Sequence, residues 1–210
     1  MEPKTAKIGK YSISYFNKEE LRILKEEIFQ NEIYSVNLNR SDKQKLNIFD
    51  IGSHIGLSVL YFKSKYPNCK ITCFEPNPNV LPLLEENIFY NNIKDVTIDN
   101  VAISDKEGKG DLYIDSSGNG AFSTARFRKN AWNGKQKSTK IVVGKKPLSS
   151  FIKENIDLIK MDIEGEEYKV LRELDNANCF KYIQNMLIEY HPKKGQNIKN
   201  ITDILTKNDF

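Results

Sequence analysis

The chain has 210 residues, 39% hydrophobic and 29% charged, with a net charge of +4. That length suits one well-cored domain and is short for two, and the composition excludes a disordered chain. No stretch approaches the ~18 consecutive apolar residues of a membrane-spanning helix. The charged segment from Met1 to Lys10 has no apolar core and does not read as a signal peptide. Cys69, Cys73 and Cys179 cannot all pair and match no zinc spacing, so reduced thiols in a cytoplasmic protein is the plain reading.

In chain order, the first predicted element is a helix from Lys18 to Gln30. Asn17 can cap it, Glu20 follows as in a capping box, and Leu21, Leu24 and Ile28 fall on one face. Residues 1–45 therefore read as a helical lead-in closed by a polar loop, Asn37 to Lys45. An apolar strand follows, Leu46 to Ile51, then a helix through Leu57, Leu60 and Tyr61. Cys69 to Phe74 reads as a second strand and Asn79 to Asn91 as a second helix, with Pro82 tolerated in its first turn. Val96 to Ile103 gives a third strand and Ile156 to Met161 a fourth, the latter leading into a helix through Val170, Leu171 and Leu174. Met186 to Tyr190 gives a fifth strand, and Ile198 to Lys207 a closing helix.

This alternation predicts an α/β fold, a doubly wound, Rossmann-like, mostly parallel sheet with helices on both faces, occupying residues 46–210. Between the third and fourth strands lies an insertion, residues 105–150. Its strand-like runs, Gly110 to Ile114 and Thr139 to Val143, suggest a β-hairpin around a Ser/Gly/Asn-rich middle. From Ser116 to Lys153 nine basic side chains occur with no acidic one, which leaves the rest of the chain net acidic. Such asymmetry reports on partners rather than on fold.

The sharpest motif is Asp50-Ile51-Gly52-Ser53-His54-Ile55-Gly56 between the first strand and its helix. Gly52 permits a sharp turn, and Gly56 lets the helix and a ligand approach closely. In open parallel sheets the ligand crevice lies beyond the carboxyl ends of the strands, at this kind of turn. A nucleotide-oxidoreductase would carry G-x-G-x-x-G here, bare backbone for a pyrophosphate. Asp50 instead would repel a pyrophosphate and suits a cationic amino-acid moiety. Glu75 ends the second strand, where a carboxylate accepts the hydroxyls of a ribose. Pro76, Asn77 and Pro78 form a stiff loop on which an adenosine edge could rest.

These motifs, with Asn100-Val-Ala-Ile-Ser-Asp105, Ile159-Lys-Met-Asp-Ile-Glu-Gly-Glu-Glu167 and Leu187-Ile-Glu-Tyr-His191, resemble in order and spacing the FkbM-type S-adenosylmethionine-dependent methyltransferases. The resemblance runs from Asn47 to the C-terminus. It implies a class I methyltransferase fold that binds S-adenosylmethionine, with Glu75 on the ribose, Gly52 and its neighbours Asp50, Ser53, His54 and Gly56 near the methionine end, and Asn100 to Ala102 near the adenine. His54 departs from the family pattern, which has a smaller or amide residue there. The family fold normally adds a final strand pair beside the fifth strand, and an uncovered edge there is an association hazard, with a homodimer as one outcome.

Asp162 and Glu164 leave the fourth strand, Glu189 and His191 the fifth, and an extended backbone would point each pair to one side. Two readings stand. Asp162, Glu164 or His191 deprotonates an acceptor hydroxyl, with Asp162 also near the cofactor; or, less favoured, the group holds a divalent cation that lowers the hydroxyl pKa. Glu166 and Glu167 read more simply as acidic residues at a helix N-terminus. No Asn-Pro-Pro-Tyr or Asp-Pro-Pro-Tyr tetrapeptide or Pro-Cys pair marks transfer to a nucleic-acid base, so O-methylation is preferred. Phe122, Phe127 and Trp132, interleaved with Arg126, Arg128 and Lys129, suggest an anionic acceptor such as a phosphorylated sugar or acidic glycan, whereas nucleic acid is disfavoured. An oxidoreductase on a similar sheet and a non-catalytic ligand-binding member remain as alternatives.

Overall fold

The structure, a computed structural model, describes residues 2–38, 45–115, 138–192 and 197–210. It opens on an antiparallel hairpin, β1 (Lys4–Ile8) and β2 (Tyr11–Tyr15), turned at Gly9 with φ +55°. The sequence reading marks only a helical lead-in here, and the apolar alternation of Tyr11, Ile13 and Tyr15 was the signal for a strand. Helix α1 (Lys18–Lys25) is capped as expected, with the Asn17 side chain accepting from the Glu19 and Glu20 N–H groups. The expected continuation to Gln30 is a π-helical turn, Glu26–Gln30, rather than more α-helix.

The main sheet has five parallel strands in the order β10-β9-β3-β4-β5: β3 (Asn47–Ile51), β4 (Lys70–Phe74), β5 (Val96–Asp99), β9 (Leu158–Met161) and β10 (Met186–Ile188). Every residue of β3 and β9 is buried, as the centre of a doubly covered sheet requires. Ile48, Ile71 and Leu158 pack into one core with α2 (Leu57–Lys65), α3 (Leu81–Tyr90), α1 and the hairpin. Phe49, Ile51, Ile159 and Met161 point the other way, into a second core with α4 (Glu167–Asn176) and α5 (Ile198–Lys207). The fold expected from the alternation of strand and helix is thus the one observed.

The hairpin is anchored by side chains. Asn87 on α3 and Asn91 at its C-cap lie one turn apart and face β2. Asn87 accepts from the Ser14 N–H at 2.6 Å and donates to the Ser14 carbonyl, while Asn91 does the same for Ser12 at 2.8 and 2.7 Å. Each amide thereby stands in for the backbone of a missing third strand. Asn87 also donates to the Ile55 carbonyl at 2.8 Å, linking the hairpin to the glycine turn.

The third predicted strand is two strands. Asp99 ends β5, and Ala102–Ser104 is β6 of a separate sheet of three strands, ordered β6-β8-β7. Apolarity runs unbroken through Val101 to Ile103, so composition conceals the change of sheet. β7 (Gly108–Asp115) and β8 (Ser138–Pro147) form the antiparallel hairpin expected of the insertion, longer than its apolar runs. The tip carrying Phe122, Arg126, Phe127, Arg128, Lys129 and Trp132 lies outside the described residues. All three cysteines are buried and free. Among the described residues no helix is long and apolar enough to cross a membrane.

Candidate active site

From β3 the chain runs outward through β4 and β5, then returns to β9 on the other side of β3. The point of reversal opens a crevice beyond the carboxyl ends of β3 and β9. A pocket there is lined by Gly52, His54, Glu75, Ala102, Asp162 and Glu164 among others, and roofed by Leu112 of β7. The accessory sheet therefore closes the top of the crevice.

Gly52 has φ +81° and Gly56, at the start of α2, +85°. A Cβ on Gly52 would overlap the Asp162 carbonyl oxygen, so only glycine lets the β3 and β9 exits lie this close. Glu75 is buried at the end of β4, and its two oxygens accept the His54 and Asn77 N–H groups at 2.8 Å each. Burial pushes its pKa up, against the backbone donors of Asn77 and His54. A carboxylate offers about four acceptor positions, so each oxygen retains one that can face the pocket. Asn100 does not line the pocket. Its amide donates to the Glu75 carbonyl at 2.8 Å and steadies that strand end, while Ala102 is the wall.

Asp50 departs from expectation. It is fully buried on the α2 side of the sheet and does not line the pocket. Its Oδ2 accepts from the Ser58 hydroxyl at 2.6 Å, and its cationic partner is Lys160 Nζ at 3.6 Å, the residue beside it in the β3–β9 register. The cation that answers Asp50 here comes from the chain itself. Ser53 is also internal, its hydroxyl donating to the Asp50 carbonyl. Lys160 is the residue that sequence reasoning missed. A lysine inside the buried run Leu158–Met161 was its signal, because charge is buried only when paired. Its Nζ also donates to the Gly52 carbonyl at 2.8 Å, lies 3.8 Å from Asp162 and sits 5.4 Å from the Tyr34 ring centre. Burial works against its charge, but Tyr34, Asp50 and Asp162 outweigh it and hold the pKa above the usual lysine value.

The expected extended path from Asp162 to Glu164 is not found. Glu164 has φ +56° and turns toward β10. There His191 gathers three carboxylates: Glu167 at 3.0 Å from Nδ1, and Glu164 and Glu189 at 3.6 Å from Nε2. Glu167 is therefore more than an acidic residue at a helix start, since its Oε1 also accepts from the Gly165 N–H at 2.9 Å. Glu166 follows the simpler reading, buried beside its i+3 partner Lys169. Burial opposes charge on His191, but the Glu167 hydrogen bond and the charges of Glu164, Glu167 and Asp162 prevail and push the pKa up to about 9. A protonated imidazole accepts no proton at neutral pH and offers a metal no lone pair. Asp162, Glu164 and His191 bring ligand atoms within 4.8 Å of one another, and a divalent cation held there would have to displace the proton from His191.

A pKa raised on folding stabilises the fold fully below the unfolded value near 6.5, and that contribution fades as pH rises toward the folded value. Stability should thus fall between about pH 6.5 and pH 9 through this group, and His191→Gln should flatten that slope. Urea unfolding at several pH values, with an NMR titration of the His191 ring, checks it. A ring midpoint near 6.5 would overturn the assignment.

The FkbM methyltransferase domain, as a family model, matches residues 50–210. The chain belongs to this family. It is 29% identical over 195 residues to Methyltransferase 1 of Beauveria bassiana, covering 85% of this chain and 76% of that protein. It is 25% identical over 213 residues to the 31-O-demethyl-FK506 methyltransferase FkbM of Streptomyces tacrolimicus, covering 88% and 80%. Among solved structures it resembles an FkbM methyltransferase from Methylobacillus flagellatus, with a TM-score of 0.56, 18% identity and 81% of this chain covered. The match spans only 39% of that longer protein. By family the chain is an S-adenosylmethionine-dependent methyltransferase, and its Rossmann-like sheet is that of its structural neighbours.

Proposed function

We propose that this protein of the FkbM methyltransferase family transfers a methyl group from S-adenosylmethionine to a hydroxyl of a carbohydrate or other small molecule. The observation that carries the reading is the crevice itself, where the Gly52 turn, the Glu75 carboxylate and Asp162 converge on one pocket. Glu75 takes the ribose hydroxyls, Ala102 borders the adenine, and Gly52 and His54 border the methionine end. Asp50, Ser53, Gly56 and Asn100 support that turn and its neighbour strand from behind. Residues 46–210 carry the chemistry, and the segment before them contributes a wall.

In the reaction the S–CH3 bond breaks as O–CH3 forms, the sulfonium becomes a neutral thioether, and the hydroxyl proton leaves for a base. Because methyl transfer is an in-line displacement, alignment is the protein's main task. Asp162 is the base best placed: its side chain is 27% exposed and lines the pocket, whereas Glu164 is turned toward His191 and His191 is already protonated. The name of the Streptomyces relative specifies an O-demethylated acceptor, which supports oxygen as the site of transfer.

Isothermal titration with S-adenosylmethionine and S-adenosylhomocysteine tests the cofactor. Replacing Glu75 by Gln or Ala should weaken binding by roughly 10- to 100-fold, the value of a hydrogen bond to a charged group. A folded wild type that binds neither compound would overturn the reading.

A further inference from the structure

A second cleft opens on the other side of Asp162. Glu27, Ile33 and Tyr34 form one wall, and Asp162, Leu187 and Glu189 face them from the ends of β9 and β10. Asp162 lines both this cleft and the cofactor pocket, so a molecule seated here meets the proposed base. The Tyr34 ring is held in place, stacked on Phe62 at 6.0 Å and set edge-on to Tyr61 at 6.4 Å.

The charge in this cleft is one-sided. Glu27, Asp162 and Glu189 are three carboxylates, and Lys160 is the one cation among the described lining residues. That cation is already committed to Asp50, Asp162 and the Gly52 carbonyl. Just beyond the lining, the His191 imidazole reaches Glu189 but is shared with Glu167 and Glu164. Glu189 registers its neighbours: burial first, then the Asp162 charge, pushes its pKa up, and Glu27 adds to it. Among the described residues, an incoming anion would meet like charge with no free cation to offset it. A hydroxylated ring meets acceptors for its O–H groups and an aromatic face with apolar neighbours for its C–H groups.

We propose that the cleft between Tyr34 and the ends of β9 and β10 is the acceptor subsite, and that it takes a hydroxylated compound without negative charge, such as a neutral or amino sugar. The proposal rests on the methyltransferase reading. It stands as an alternative to the anionic acceptor suggested by the basic stretch, whose central residues lie outside the described ones. Tyr34 and Glu27 act as specificity residues supplied by the segment before the methyltransferase core.

Saturation-transfer NMR on the protein with saturating S-adenosylhomocysteine tests it, using methyl glucoside, methyl mannoside, myo-inositol and glucosamine against glucuronic acid and glucose 6-phosphate. At least one uncharged or amino probe should give a signal stronger than either anion. Tyr34→Ala should weaken that signal roughly tenfold, as loss of an anchoring aromatic does, and S-adenosylhomocysteine affinity, measured separately, reports any disturbance passed to the Gly52 turn through Lys160. Because Tyr34 also packs in the core, the half-exposed Glu189→Lys is a second arm, expected to bring up the glucuronic acid signal. Stronger signals from the anions, silence from every uncharged and amino probe, or indifference to both variants would each overturn the proposal. Failure of S-adenosylhomocysteine to bind would instead overturn the cofactor reading beneath it.

Discussion

Gly52→Ala should abolish S-adenosylmethionine binding and lower the melting temperature by on the order of 10 °C. Two costs combine. The residue sits at φ +81°, where a Cβ adds about 1–2 kcal/mol of backbone strain. The same Cβ meets the Asp162 carbonyl oxygen, a backbone atom that cannot rotate away, and overpacking of that kind adds about 1–3 kcal/mol. Relief requires the β3 and β9 exits to separate, which moves Asp162 and breaks the Lys160 bond to the Gly52 carbonyl. The crevice loses both walls together. Gly56→Ala is the control: its Cβ meets the Leu84 Cδ1 at 2.7 Å, the far end of a flexible side chain, so its stability loss should be smaller despite a similar φ. Calorimetric melting and isothermal titration of the two variants check this, and a Gly52→Ala protein that binds normally would refute the close approach.

Lys160→Met should cost about 3–5 kcal/mol of folding stability, the expected loss when one partner of a buried ion pair is removed. The substitution leaves Asp50 fully buried with only the Ser58 hydroxyl, and strips the donor from the Gly52 carbonyl. Asp50→Asn in the same chain should recover part of the loss, because the amide needs no cation. A double-mutant cycle in urea gives the coupling, which should exceed about 1 kcal/mol for groups in one network. Simple additivity would show that the two charges do not depend on each other. Lys160→Arg is not a rescue, since the planar guanidinium cannot occupy the place of a compact ammonium between Tyr34 and Asp50.

These two residues also show why part of the site was legible in the sequence and part was not. Gly52 and Glu75 could be read because each solves a local problem, a turn with positive φ and a carboxylate at a strand end, that leaves its mark in a short motif. The partner of Asp50 could not, because it depends on which strand lies beside β3. Lys160 follows Asp50 by more than a hundred residues and is brought opposite it only by the crossover to β9. The inside partner of Asp50 was not legible for that reason: sequence reading matched the carboxylate to an outside cation while Lys160 stood unassigned. His191 is similar. Its spacing from Glu189 is visible, but its change from candidate base to protonated tether follows from Glu167 and Glu164 arriving from another strand exit.

By itself the sequence determined the alternation of strands and helices, hence the doubly wound sheet, and the family to which the glycine turn and the Asp162–Glu167 block belong. Both are written in periodicities and motifs a few residues long, set by side-chain direction and local φ/ψ limits. Only the tertiary structure decided that the run from Val96 to Ile103 divides between two sheets, that asparagines on α3 and at its C-cap complete the N-terminal hairpin, and that Tyr34 and Glu27 face Asp162 across a cleft. These depend on hydrogen bonds and charge contacts between segments far apart in the chain, whose energies exist only after the backbone has brought them together.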